Sequence, residues 1–283
     1  MAIVIRSRSV AALSRADVGE VQCQVVGLLQ TALNGPEMIP LLVHQVESFA
    51  RALKLPVYPD SAYAAVVADT SRRTDVPNTV NWARLSGKFG QFDAIVREIT
   101  LDRVMVMDML DAVKADVGVT FEHLDALRVF MMLKGLHAVG HALTSYCLRI
   151  LRAIYGNRRN IPKRNTPIKV GTVRRGKKLT GDAGNNLEEL LSGGMRFTYE
   201  LFKPLDDVMN RITLVDARGR HGYYVPQGFI NDTLACPEEF YSISTAYLSD
   251  HTNLEAIPAQ TLAAAVVNNA HGSYERQSPT VKY

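Results

Sequence analysis

The side chains of this sequence that suggest chemistry are a pair of histidines and a long series of arginines and lysines. His137 and His141 are four residues apart, a spacing that puts both imidazoles on one face of a helix. In the zinc-protease motif H-E-x-x-H, the residue after the first histidine is a glutamate that acts as the base, but here it is Ala138. The pair therefore does not predict that hydrolysis. We expect a structural role for both histidines, because the glutamate is missing and the flanking residues are apolar. A metal ion would need further ligands from a partner helix.

Other sequence signatures of catalysis or cofactor binding are missing. The sequence has no G-x-S-x-G nucleophile elbow, no G-x-x-x-x-G-K-[ST] loop and no G-x-G-x-x-G. Cys23, Cys147 and Cys236 are odd in number and far apart, which argues against a disulfide framework and favours a reducing compartment. We therefore predict no catalytic residues, no metal and no cofactor, and we expect that the protein is not an enzyme.

The basic residues are concentrated in one block that contains no acid. From Ala126 to Gly181 there are 56 residues without a single Asp or Glu, and they hold 13 of the 32 Lys and Arg residues. The rest of the chain carries all 28 acids against 19 bases. The total charge of +4 thus conceals a mildly acidic body with a strongly basic insert, a pattern typical of proteins with a polyanionic partner.

Within this block, the segment that we call the basic arm, Asn157 to Lys178, is predicted to bind nucleic acid. Eleven bases lie between Arg149 and Lys178, and arginine outnumbers lysine seven to four, which suits bidentate contacts with phosphate. Such contacts gain affinity by releasing counterions, and they discriminate little between nucleic acids of different base sequence. The residues that we expect to contact phosphate are Arg158, Arg159, Lys163, Arg164, Arg174, Arg175, Lys177 and Lys178.

Two elements would hold these residues in place. Val119 to Tyr155 has apolar residues at helical spacing and is apolar nearly all round in its second half, which predicts a buried central helix. Ile168 to Val173 alternates apolar and polar residues, and Leu179 resumes the pattern. This predicts a β-hairpin with a basic tip at residues 174–178.

The remaining pattern is mostly helical. Helices are predicted at Asp17–Leu33, Ile39–Leu53, from about Thr79 onwards, at Asn185–Leu191, Met195–Phe202, Leu205–Arg211 and Ala259–Ala270, and a helix is predicted to begin at Pro237. A hairpin is predicted from Ile212–Val215 and Tyr223–Val225. The fold class is mainly α, a bundle-like body with a long central buried helix, a basic hairpin or arm and a small mixed α+β C-terminal region. Its regions are residues 1–118, 119–181 and 182–283, which can also form one domain.

These features together predict a structural protein that binds RNA and self-assembles into a homo-oligomer, most like a viral nucleocapsid or coat protein of the virion or cytoplasm, and not secreted. Apolar residues near both termini suit exchange between subunits. One alternative is a helical enzyme or metal-binding protein that uses His137 and His141 with a carboxylate from another helix. A second alternative is a membrane-associated protein with an apolar helix at Val129–Leu148 and a basic lipid-binding flank. We do not expect a membrane span, because Lys134 and the histidines would lie deep in hydrocarbon.

Overall fold

The fold is described from a computed structural model. It describes residues 4–7, 15–55, 79–85, 89–93, 98–104, 106–107, 121–155, 161, 166–167, 169–171, 173–175, 178–200, 211–259 and 262.

The protein is mainly α-helical. Its α-helices are α1 (Arg15–Asn34), α2 (Met38–Ala52), α3 (Phe121–Tyr155), α4 (Ala183–Leu191), α5 (Gln227–Ala235) and α6 (Phe240–Leu248), with 3₁₀ turns at Pro237–Glu239 and His251–Asn253. The predictions of α1, α2, α3 and α4 are confirmed to within two residues at each end. Pro237 begins the 3₁₀ turn that leads into α6, as its fixed φ favours a helix start.

Nine strands form three small sheets in the described part of the chain. They are β1 (Val4–Ser7), β2 (Thr79–Ala83), β3 (Gly90–Asp93), β4 (Glu98–Asp102), β5 (Val173–Arg175), β6 (Lys178–Thr180), β7 (Met195–Glu200), β8 (Arg211–Asp216) and β9 (Gly222–Tyr224). The first sheet has the order β1-β2-β4-β3, with β3 antiparallel and the other pairs parallel. The pair β5-β6 and the sheet β7-β8-β9 are antiparallel.

Two of the helix predictions are wrong. The region from Thr79 to Asp102 forms β2, β3 and β4 rather than helix, and the helix predicted at Met195–Phe202 is strand over Met195–Glu200. In β4, burial alternates along the strand, with Ile99 and Leu101 buried. The apolar spacing in these short segments fits both periods, and pairing between distant strands decided between them. The helices predicted at Leu205–Arg211 and Ala259–Ala270 lie largely outside the described residues.

Helix α3 is the central element, as predicted. Its residues from Leu124 to Ala142 are mostly buried, and they pack against α1, α2, α4, α5 and strands of two sheets. One cluster of buried apolar side chains joins Trp82 of β2, Phe130 of α3 and Phe229 of α5. The first, middle and last parts of the chain therefore share one core.

Gly35 follows the last residue of α1 but does not adopt the left-handed conformation that is common for glycine at that position. Glycines with positive φ in the described chain are Gly171, Gly193, Gly194 and Gly219. At Gly35, a Cβ would lie 2.3 Å from the backbone oxygen of Glu238. Glycine is needed there because the backbone of the 3₁₀ turn before α6 lies directly against Gly35.

The apolar length of the helices bears on the membrane alternative. In the part of the chain that the structure describes, no helix meets the length and apolarity that a bilayer-crossing segment requires.

Candidate functional site

Strands β5 and β6 pair in antiparallel fashion, but the first strand begins only at Val173, whereas the sequence predicted it at Ile168–Val173. Residues 169–171 form a turn, in which the N–H of Val170 donates to the backbone oxygen of Pro167.

Arg174 and Arg175 lie in β5 and Lys178 lies in β6, so these three bases belong to the paired strands and not to the turn between the strands. The register pairs Arg174 with Leu179 and Arg175 with Lys178. Two cationic residues therefore lie directly opposite each other on adjacent strands.

The other predicted phosphate contacts cannot be placed on this hairpin. Arg158, Arg159, Lys163, Arg164 and Lys177 lie outside the described residues. The structure thus brings together three of the eight predicted residues, namely Arg174, Arg175 and Lys178.

Several bases of the acid-free block have partners elsewhere in the chain. Lys134 pairs with Glu188, with Nζ 2.7 Å from Oε1, and Arg152 donates to the backbone oxygen of Ile161 at 3.2 Å. Arg128 pairs with Asp125, one residue before the block. A run without acids therefore does not leave every base in it unneutralised.

The second group of candidate residues lies where α3 crosses α4, and glycines allow that crossing. A Cβ on Gly140 would lie 2.8 Å from the backbone oxygen of Ala183 and 2.9 Å from Cα of Gly184. A Cβ on Gly184 would lie 2.5 Å from the imidazole of His137. Because neither glycine has a side chain, the backbone of α4 lies directly against the histidine face of α3.

Asp182 is the residue that begins α4. It has extended backbone angles, and its Oδ1 accepts a hydrogen bond from the backbone N–H of Asn185 at 2.9 Å, which is the usual N-cap arrangement. Its own N–H donates to the backbone oxygen of Val170 at 2.9 Å. The carboxylate is therefore held at the N-terminus of α4, beside α3.

Three ligand-type atoms converge at this crossing. His141 Nε2 lies 3.2 Å from His137 Nε2 and 3.4 Å from Asp182 Oδ1, and His137 Nε2 lies 3.9 Å from Asp182 Oδ1. The side chain of His141 is 34% exposed, whereas that of Asp182 is 10% exposed, so the group opens to solvent on the His141 side. Among the described residues, these three form the group whose geometry could hold a metal ion.

Glu188 of α4 fixes the other side of His137. Its Oε1 lies 2.8 Å from His137 Nδ1 and accepts from Lys134 Nζ at 2.7 Å, and its Oε2 accepts from the backbone N–H of Phe197 at 2.9 Å. Burial by itself would raise the pKa of Glu188, but the nearby Lys134 and His137 together have the larger, opposite effect. The net pKa is lowered from 4.5 to about 2. An ionised carboxylate only accepts hydrogen bonds, so Nδ1 of His137 carries the hydrogen. The lone pair of a neutral His137 is then on Nε2, towards His141 and Asp182.

The sequence interpretation paired His137 with His141 but missed both carboxylates. Asp182 and Glu188 come from the helix that begins just after the acid-free block. One signal was available: Asp182 is an N-cap residue type directly before a short amphipathic helix. Its approach to the histidines follows only from the crossing of the two helices. The side chain of His123, also in α3, lies outside the described residues.

Comparisons of this chain with models of protein families, with curated proteins and with solved structures found no match.

Proposed function

We propose that the protein binds RNA through the phosphates of its backbone and acts as a structural, self-assembling protein of the nucleocapsid or coat type. The surface responsible is the basic arm, Asn157 to Lys178, which contains β5 and the first residue of β6. The compartment is the virion or the cytoplasm, in keeping with three cysteines that are odd in number and far apart in the sequence.

The observation that supports RNA binding most directly is the register of the hairpin. Arg175 lies opposite Lys178, and like charges in directly opposed positions destabilise a β-ladder. The sequence block around this hairpin, from Ala126 to Gly181, contains no acid that could offset such repulsion from within the block. Phosphate groups of an RNA chain would offset it, and binding of this kind depends on charge far more than on base sequence.

The test of RNA binding compares two variants with the same change in charge. Arg174→Glu with Arg175→Glu alters the basic hairpin, whereas Arg218→Glu with Arg220→Glu alters an exposed turn between β8 and β9. Affinity for a single-stranded RNA is measured by fluorescence anisotropy at several salt concentrations. We expect the first variant to lose binding and the second to keep most of it.

Salt dependence distinguishes phosphate contacts from other modes of binding. If six of the predicted residues contact phosphate, log affinity falls with log salt with a slope of roughly −4 for a single strand. Loss of two contacts reduces the size of that slope by about 1.4. Equal affinity of the native protein and the Arg174/Arg175 variant at every salt concentration would reject the basic hairpin as the RNA-binding surface.

Self-assembly is the second part of the proposal, and the position of β1 supports it. Strand β1 lies at one end of the described four-stranded sheet and pairs in parallel with β2. A terminal strand at a sheet edge can be exchanged between protomers at little cost. We expect light scattering to show an oligomer for the full chain and a smaller species when residues 1–14 are removed. A full-length monomer at high protein concentration would contradict this part of the proposal.

A further inference from the structure

We propose that His137, His141 and Asp182 bind one divalent transition-metal ion of the zinc class at the crossing of α3 and α4. The proposal goes beyond RNA binding, because it needs neither the basic arm nor a nucleic acid. It differs from the expectation that the two histidines are purely structural, which rested on Ala138 in place of a catalytic glutamate and on the apolar flanks. A metal site needs a further ligand from another helix. Asp182 provides that ligand.

The spacing of the three atoms fits a zinc ion. Bonds of about 2.0–2.2 Å to imidazole nitrogen and carboxylate oxygen place neighbouring ligands of a tetrahedral ion about 3.3–3.6 Å apart. The separations of His137 Nε2 from His141 Nε2, of His141 Nε2 from Asp182 Oδ1 and of His137 Nε2 from Asp182 Oδ1 are 3.2, 3.4 and 3.9 Å. A point about 2.2 Å from all three atoms lies just outside their plane, so a tetrahedral ion fits after small movements of the side chains.

The hydrogen bonds within the group are compatible with a bound cation. Asp182 Oδ1 accepts from the backbone N–H of Asn185 and keeps a further lone pair, and His137 Nδ1 faces Glu188. His137 Nε2 and His141 Nε2 lie 3.2 Å apart, so at most one of them carries a hydrogen between them and the other presents a lone pair. Such lone pairs are the electron pairs that a metal ion binds.

The surroundings of His137 match those of a metal-bound histidine. Metal-binding histidines commonly donate their second N–H to a carboxylate, which fixes the tautomer and orients the ring. Glu188 Oε1 lies 2.8 Å from His137 Nδ1 and is itself held by Lys134 and by the N–H of Phe197. The face of the ring around Nε2 lies against Gly184, where a Cβ would lie 2.5 Å from Cδ2 and Nε2. The ring is therefore fixed in the orientation that presents Nε2 to the proposed ion.

The chemistry of the donors selects the class of ion. Two imidazoles and one carboxylate suit zinc and its neighbours among the first-row metals, whereas Mg²⁺ and Ca²⁺ prefer oxygen ligands alone. The described residues provide three ligands, and the partly exposed side of His141 leaves access for a fourth. A zinc ion with three protein ligands retains one position for water or an external ligand.

The test uses the full chain, freed of metal with a chelator and titrated with Zn²⁺ by calorimetry without nucleic acid. We expect one Zn²⁺ per chain, and we expect Co²⁺ to give the intense visible absorption of a four-coordinate ion, which Zn²⁺ abolishes. His141→Ala should weaken Zn²⁺ affinity by at least about 100-fold. Because Asn is also a good N-cap residue, Asp182→Asn should keep the helix start yet weaken the affinity by at least about 10-fold. Equilibrium dialysis against Mg²⁺ should show no stoichiometric binding.

The matched control is His221→Ala, since His221 is an exposed histidine outside the group. It should bind Zn²⁺ as the native chain does, and circular dichroism of all three metal-free variants should match the native spectrum. The proposal is overturned if the native chain takes up no stoichiometric Zn²⁺ or Co²⁺. It is equally overturned if folded His141→Ala and Asp182→Asn bind Zn²⁺ as tightly as His221→Ala.

Discussion

Lys134 and Glu188 form an ion pair between α3 and α4, with Nζ 2.7 Å from Oε1 and side chains only 12% and 3% exposed. The lysine also donates to the backbone oxygen of Phe197, and the carboxylate accepts from the N–H of the same residue. The pair therefore joins α3, α4 and β7, and every polar atom that it buries has a partner close by. Because Glu188 also contacts His137 Nδ1, the same ion pair holds one histidine of the candidate metal site in position.

Removing one member of this pair should be costly. We expect Lys134→Met to lower the free energy of unfolding by about 3–5 kcal/mol, because Glu188 would remain buried without its cation. The double variant Lys134→Met with Glu188→Leu removes both charges, so its free energy of unfolding should fall by less than that of Lys134→Met alone. Urea unfolding followed by circular dichroism measures both.

The control for this prediction is an ion pair whose cation is exposed to solvent. Arg51 pairs with Glu47 one turn earlier in α2, and the Arg51 side chain is 68% exposed. Arg51→Ala should cost less than about 1 kcal/mol. Similar losses of unfolding free energy for Lys134→Met and Arg51→Ala would show that the buried pair contributes no more to stability than the pair with an exposed cation.

Stability at acid pH should depend on Glu188. Its pKa falls from 4.5 to about 2 on folding, so its contribution is fully present above pH 4.5 and is lost as the pH falls towards 2. The contribution is about 3 kcal/mol, since each unit of pKa shift corresponds to about 1.4 kcal/mol. We expect metal-free native protein to lose about 2 kcal/mol more stability than Glu188→Gln between pH 5 and pH 2.5, measured by urea unfolding. Parallel pH profiles for the two proteins would contradict the prediction.

The close crossing of α3 and α4 should not tolerate a methyl group. Gly140→Ala places Cβ 2.8 Å from the backbone oxygen of Ala183, and we expect it to lower stability by about 1–3 kcal/mol. It should also weaken Zn²⁺ binding, because α4 must move away from the histidines. Gly27→Ala in α1 is the matched control, since nothing lies within 4 Å of its added Cβ. That change should stabilise the protein by about 0.5–1 kcal/mol in thermal unfolding.

The N-cap role of Asp182 can be separated from its proposed role as a ligand. In metal-free protein, Asp182→Ala should cost about 1 kcal/mol of stability, whereas Asp182→Asn should cost only a few tenths, because Asn also accepts the bond from the Asn185 N–H. Thermal unfolding in the presence of a chelator gives both values. If Asp182→Asn destabilised the metal-free protein as much as Asp182→Ala did, the carboxylate charge would matter for folding beyond capping.

The sequence determined the features that depend on neighbouring residues. The periods of α1, α2 and α3, the hairpin of β8 and β9, and the i, i+4 placement of His137 and His141 all follow from local spacing. The acid-free basic block is also a property of the sequence alone. Such features survive in any tertiary arrangement, because a helix fixes the relation between residues one turn apart.

The tertiary structure decided the sheet at Thr79–Asp102, the strand at Met195–Glu200, and the assembly of the candidate metal site. In β7 an alternation of buried Met195 and Phe197 with Arg196 was present in the sequence, yet only pairing with β8 distinguishes it from a short helix. Glu188 lies 51 residues from His137, and its contact with that histidine depends on the fit of Gly140 against Ala183 and Gly184. No local pattern specifies such a contact, because its distance is set by the packing of two helix backbones and not by the residues adjacent in sequence.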